Sequence, residues 1–204
     1  MNTWITADWH CGEDRFELMG RPFTSPLEMV NQLVQYHNDL VAPDDLVLMV
    51  GDAVYQKTPN WLPNVARFNG QKILFRGNHD AVFTDKELRE YFMDIVPEGE
   101  GREYTFCGIL CWVNHYPTLG RQDRFNLYGH IHAAHKYQLN GLNIGIDVHN
   151  FRPVNTNKIG FHYDAICKYY DNDVWIAYNE INSSYLGKRG KKGSYYEPKN
   201  QTAQ

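Results

Sequence analysis

The chain has 204 residues, 43% hydrophobic and 22% charged. This is the size and composition of one globular domain that buries a core without disulfide staples, not of a disordered, collagenous or coiled-coil chain. A net charge of −4 argues against a cationic nucleic-acid coat, and apolar runs such as Leu46 to Val50 are too short to span a bilayer. The start, MNTWITADWH, has neither a basic n-region nor an apolar h-region, and Cys11, Cys107, Cys111 and Cys167 are sparse. The expectation is a cytoplasmic protein with reduced thiols and no membrane partner.

Taken in chain order, Thr3 to Ala7 reads as a short buried strand. Residues 25–41 read as a helix: Ser25 supplies an N-cap, Pro26 the first helical position, and Leu27, Val30, Leu33, Val34 and His37 recur at helical spacing. Asp45 to Val50 and Lys72 to Phe75 are strands, and Asp85 to Phe92 is a helix capped by Thr84. The pattern then changes, because Tyr104 to Phe106, Ile109 to Val113, Phe125 to Tyr128 and Leu142 to Ile146 follow as strands with no helices between them. Strand–helix–strand followed by consecutive strands predicts an α/β fold with mixed sheets. A final strand pair is expected at Tyr163 to Lys168 and Val174 to Tyr178. The domain is expected to span residues 1–182. Residues 183–204, with Lys188, Arg189, Lys191, Lys192 and Lys199 against Glu197 alone, read as a basic, flexible tail.

Five times an apolar strand runs into metal-ligand residues: Asp8-Trp9-His10, Gly51-Asp52, Gly77-Asn78-His79-Asp80, His115, and Gly129-His130-Ile131-His132. In α/β sheets ligands bind beyond the carboxyl ends of strands, so adjacent strands would bring all five segments to one rim. Carboxylates, imidazoles and an amide, with no thiolate, are too many donors for one tetrahedral zinc but suit two metals that share a carboxylate. Gly-Asn-His-Asp alone could be an ordinary turn; it is the five segments together that indicate a site.

This set of motifs resembles that of the calcineurin-like metallophosphoesterases, of the small bacterial and phage type, across residues 8 to 132. The resemblance implies a four-layer αββα sandwich of two mixed β-sheets flanked by helices. It also implies two divalent ions, manganese foremost, with iron, nickel, cobalt or zinc as alternatives. One ion would take Asp8, His10 and His132, the other Asn78, His115 and His130, and Asp52 would bridge them. His79 would meet the phosphate and protonate the leaving oxygen, oriented by Asp80. The chain departs from the large protein phosphatases after Gly51-Asp52, where it reads Ala53-Val54-Tyr55. The segment NIGIDVHNFRPV resembles one that follows the last metal motif in some members.

The implied activity is hydrolysis of phosphomono- or phosphodiesters by water activated between two cations, on a small phosphoester or nucleotide. Arg15, Arg21 and Arg152 are candidate substrate-binding forks. Trp9 and Tyr116 would either stack on a base or pack the metal loops, and His135 and His149 read as outer or surface residues. A nuclease with the same centre, using the basic tail on DNA or RNA, is the alternative. A non-catalytic protein-binding scaffold is the third reading, disfavoured because it would not need the full ligand set. Oligomeric state is not legible from the sequence.

Overall fold

The computed structural model describes residues 1–56, 60–138 and 140–168. Two mixed five-stranded sheets carry it. The first combines β1 (Thr3–Thr6), β2 (Leu46–Met49), β3 (Gln71–Phe75), β4 (Asp94–Val96) and, at its other edge, β10 (Val154–Asn155). Its order is β10-β1-β2-β3-β4, with β1 to β4 parallel and β10 antiparallel. The second sheet has the order β5-β6-β7-β9-β8, from β5 (Arg102–Phe106), β6 (Ile109–Val113), β7 (Phe125–Tyr128), β8 (Tyr137–Gln138) and β9 (Gly141–Asn143). Here β6, β7 and β9 run parallel. Two mixed sheets with few helices are consistent with the sandwich expected from the motifs.

Helix α1 is a single turn, Phe16–Met19, while α2 spans Pro26–Asn38. The Ser25 hydroxyl accepts the Glu28 N–H, as its sequence position predicts. Met29, Val30 and Leu33 are buried in the same core cluster as Met49 of β2 and Leu74 of β3, and each such burial contributes about 1.5–3 kcal/mol. The helix stops at Asn38 rather than at 41, with Asp39 as its C-cap. Helix α3 is also shorter than expected, Asp85–Leu88 with a Thr84/Glu87 capping box, because the chain must turn to add β4 to the sheet edge.

The expected strand Tyr163–Lys168 is instead part of helix α4 (Ile159–Lys168). Ile159 and Ile166, seven residues apart, are its buried residues, so the burial period is two helical turns and not the alternation of a strand. Lys168 reaches Asp164 one turn back, and Tyr163 packs edge-on against Phe125 of the second sheet. The expected strand Val174 to Tyr178 and the basic tail lie outside the described residues. Among the described residues no helix is long and apolar enough to cross a membrane.

His37 of α2 is 1% exposed and meets the stacked rings of Trp9 and Phe68 edge-on. It donates from Nε2 to the Asn69 carbonyl, while Nδ1 has no partner. Burial, more than the nearby Lys72 charge, holds its pKa down to about 4, against an opposing contribution from the Asn69 carbonyl. Below pH 6.5 the unfolded imidazole takes a proton that the folded one refuses, so this residue's stabilisation is full above pH 6.5. It is lost as pH falls toward 4, by about 3 kcal/mol. Denaturant melts at pH 7 and 4.5 should therefore show a smaller pH-dependent loss in His37→Gln than in the wild type.

Candidate metal centre

The carboxyl ends of β1, β2, β3, β6 and β7 meet at one rim. The loops after β1 and β2 run side by side: the Asp8 N–H donates to the Gly51 carbonyl and the His10 N–H to the Asp52 carbonyl. A bridge between Ala7 and Gly145 joins this rim to the chain leaving β9. All five expected segments therefore converge, and their side chains form overlapping groups. Asp8, His10 and His132 form one, Asp52, His115 and His130 a second, and His10, Asp52 and His79 a third, each with ligand atoms within 4.8 Å of one another.

Asp52 lies between the groups. Its Oδ2 is 3.4 Å from His10 Nε2 and 3.3 Å from His115 Nε2, and both imidazole nitrogens are buried without an acceptable hydrogen bond. Its Oδ1 accepts the His79 N–H at 2.9 Å. The other ring nitrogen of His115 donates to the Val50 carbonyl at 2.8 Å, and that of His132 to Asp147 Oδ2 at 3.0 Å. These bonds commit Nδ1 to a proton, leaving Nε2 as the nitrogen turned to the site. Asn78 Oδ1 lies 3.1 Å from His130 Nδ1, and the His130 N–H donates to the Asp8 carboxylate. Buried imidazole nitrogens without hydrogen-bond partners, facing carboxylates, are a donor set that fits borderline divalent cations.

The backbone is bent to achieve this. Asp8, His10, Asp52, His130 and His132 all have positive φ, from 49° to 73°, which costs a non-glycine residue about 1–2 kcal/mol. Gly77 is required for space: a Cβ there would lie 2.2 Å from Asp52 Oδ1.

The electrostatics are those of crowded carboxylates. Burial pushes Asp8 up to about 6 and His10 down to about 4. For Asp52, burial is outweighed by its two imidazole neighbours, and the carboxyl is held well below the usual range. His115 is held up at about 9 because Asp52 overcomes its burial. Asp80 is pushed up to about 7, by burial first and then by the Asp52 charge.

Asp80 does not orient the His79 ring as expected. Its carboxylate accepts three backbone N–H groups, from Asp52 (2.8 Å), Ala53 (3.1 Å) and Gly77 (2.9 Å), and so ties the β2 loop to the β3 loop. The His79 ring is held by Nδ1–H donating to the Tyr55 carbonyl at 2.7 Å.

The three candidate arginines separate. Arg15 lines a cleft of about 380 Å³ beside His10, His79 and His132. Arg21, 4% exposed, is instead spent internally: it grips Asp147 with Nε and Nη2 (2.7 and 2.9 Å) and donates to the carbonyls of Asp8 and Trp9. Arg152 stacks on Tyr36 of α2 at 4.5 Å, outside that cleft. Trp9 stacks on Phe68 in the core, and Tyr116 packs on His115 and His130, so both serve as packing. His149 is bound to the Asn143 carbonyl, away from the cleft.

Glu13 and Asp147 were not picked out by sequence reasoning. Glu13, fully buried, holds Arg15 through two side-chain bonds and sits 3.8 Å from His10 Nδ1. Asp147 lies in a 3-10 turn, Ile146–Val148, and the strand expected from Leu142 to Ile146 already stops at Asn143. The strand ends because Asn143 turns its side chain to the Gly145 N–H and to the carbonyls of His132 and His135. The likeness of NIGIDVHNFRPV to a family segment was the available signal. Asp147→Asn is expected to weaken divalent-metal affinity about 10–100-fold, as loss of an outer partner of a ligating histidine does; titration calorimetry with manganese would measure it.

The family model described as calcineurin-like phosphoesterase matches residues 1–185. No curated protein gives a significant match. Among solved structures, a protein of unknown function from Aquifex aeolicus aligns at 18% identity and a TM-score of 0.61, over 78% of this chain and 98% of that one. That likeness shows the fold alone. A phosphopantetheinyl hydrolase from Mycobacterium tuberculosis aligns at 17% identity and a TM-score of 0.30, over 56% of this chain and 42% of that one, too slight to carry an argument.

Proposed function

The chain belongs to the calcineurin-like phosphoesterases, and from that premise we propose that it hydrolyses phosphomono- or phosphodiesters at a dinuclear centre. The family makes it a metal-dependent phosphoesterase. The observation that carries the two-ion reading is Asp52, whose Oδ2 faces the unpartnered Nε2 atoms of both His10 and His115. Asp8, His10 and His132 would hold one cation and Asn78, His115 and His130 the other, with Asp52 shared. Manganese is the first choice, and iron, nickel, cobalt or zinc suit the same donors. When bound, such a pair neutralises phosphate oxygens and lowers the pKa of water to near neutrality.

The remaining work falls to the chain itself. The Tyr55 carbonyl holds the His79 ring with Nδ1 protonated, so that Nε2 is the nitrogen that would deliver a proton to the leaving oxygen. Arg15, tethered by buried Glu13, would offer its guanidinium to an anionic oxygen in the cleft. Asp80 acts through the backbone, fixing the Asp52 and Gly77 loops.

The test is hydrolysis of p-nitrophenyl phosphate and bis-p-nitrophenyl phosphate by metal-stripped protein, with manganese, nickel or zinc returned. Two ions bound per chain and turnover only with metal are expected, and the preferred ester divides monoesterase from diesterase. Failure to bind any of these metals would overturn the reading.

A further inference from the structure

The lining of the cleft beside the candidate centre includes apolar residues that the chemistry above does not use. Beside His10, His79 and His132, it takes Leu18 and Met19 of α1, with Ile131, Ala133 and Ala134 from the loop around His132, as an apolar wall. This wall is built to stand in water: no residue of α1 is buried, and the turn is closed by Gly20 in the left-handed conformation (φ 67°). Leu18 is 77% exposed. A single exposed leucine needs no explanation, but here it stands at the mouth of a reactive cleft beside four more apolar side chains. Arg15, held by buried Glu13 and laid over the Tyr55 ring at 4.6 Å, is assigned above to the phosphate itself. Beyond it, a sugar would find few hydrogen-bonding partners on such a wall.

We propose that the substrate is a phosphoester whose organic group is apolar, an alkyl chain or an aryl ring, seated on Leu18, Met19 and Ile131 while its phosphate lies at the histidines. This assignment deepens the hydrolytic reading and rests on it.

A series of n-alkyl phosphates from ethyl to hexyl tests it on manganese-loaded protein, because alkoxide leaving tendency is nearly constant along the series. The matching alkylphosphonates, which cannot be hydrolysed, report binding separately by calorimetry. Both kcat/KM and phosphonate affinity are expected to rise about two- to threefold per methylene. Leu18→Asp should flatten that slope, Met19→Gln should reduce it, and Leu110→Asp, exposed on β6 outside the cleft, should keep it. Turnover with a flat series, or equal losses in Leu18→Asp and Leu110→Asp, would overturn the apolar assignment and leave the hydrolytic reading standing. A phosphonate slope lost in Leu18→Asp, with no ester hydrolysed, would support the wall and overturn hydrolysis. A flat phosphonate series without turnover would overturn both.

Discussion

An Asp52→Asn variant is expected to lose metal-dependent turnover to the background of a blank preparation and to bind divalent metal more than about 100-fold more weakly. The loss should exceed the 10–100-fold typical of an outer-shell partner, because this carboxylate faces both halves of the site. The amide is nearly isosteric and keeps an oxygen for the His79 N–H, now 2.9 Å from Oδ1. What it removes is the negative charge, and it places an NH2 or a weaker oxygen opposite His10 and His115. Asp52 adds its charge to buried Asp8 and Asp80, raising the pKa of both, but the imidazoles of His10 and His115 hold its own carboxyl well below the usual range, so the ionised group is net stabilising in the metal-free fold. The variant should therefore melt somewhat lower than the wild type in chelator. Only the wild type should gain several degrees when manganese is added, since a ligand stabilises only the state that binds it. Full two-ion binding with wild-type turnover in the variant would remove Asp52 from its central role.

The part of this site legible from sequence was its residue chemistry. Asp8, His10, Asp52, Asn78, His79, His115, His130 and His132 could be named because each follows a strand, and strand ends in an α/β sheet share a rim. Less visible was anything set by backbone detail. Five of those residues sit at positive φ, and nothing in the propensities of aspartate or histidine predicts that; the strain is imposed by the fold. Glu13 and Asp147 escaped notice because a buried carboxylate cannot be distinguished from a surface one until its partner is placed, and the partner of Asp147 is Arg21, distant in sequence. The same blindness assigned Arg21 to substrate. In the fold, the strong helix signal of Ser25-Pro26 was read correctly. The Tyr163–Lys168 part of helix α4 was expected as a strand, because the spacing of its buried pair, Ile159 and Ile166, becomes visible only in the fold. Short edge strands such as β4 and β10 depend on neighbours more than on their own residues.

At His79 the expected effect is large but selective. With Nδ1–H held by the Tyr55 carbonyl, the ring cannot easily rotate, and one of its nitrogens lies within 4.8 Å of ligand atoms of His10 and Asp52. That position is compatible with two roles, a third kind of metal ligand or a proton donor to the leaving oxygen, and the two predict different kinetics. A general acid contributes about 10²–10⁴-fold where the leaving group needs its proton, and little where it does not. His79→Asn should therefore slow alkyl phosphates by about 10²–10⁴-fold while p-nitrophenyl phosphate, whose phenolate leaves unaided, falls far less. Metal content should stay at that of the wild type, since the imidazoles of His10 and His115 on either side of Asp52 are untouched. Equal losses on both esters, accompanied by loss of a bound ion, would instead make His79 a ligand and leave the leaving oxygen to be protonated by water.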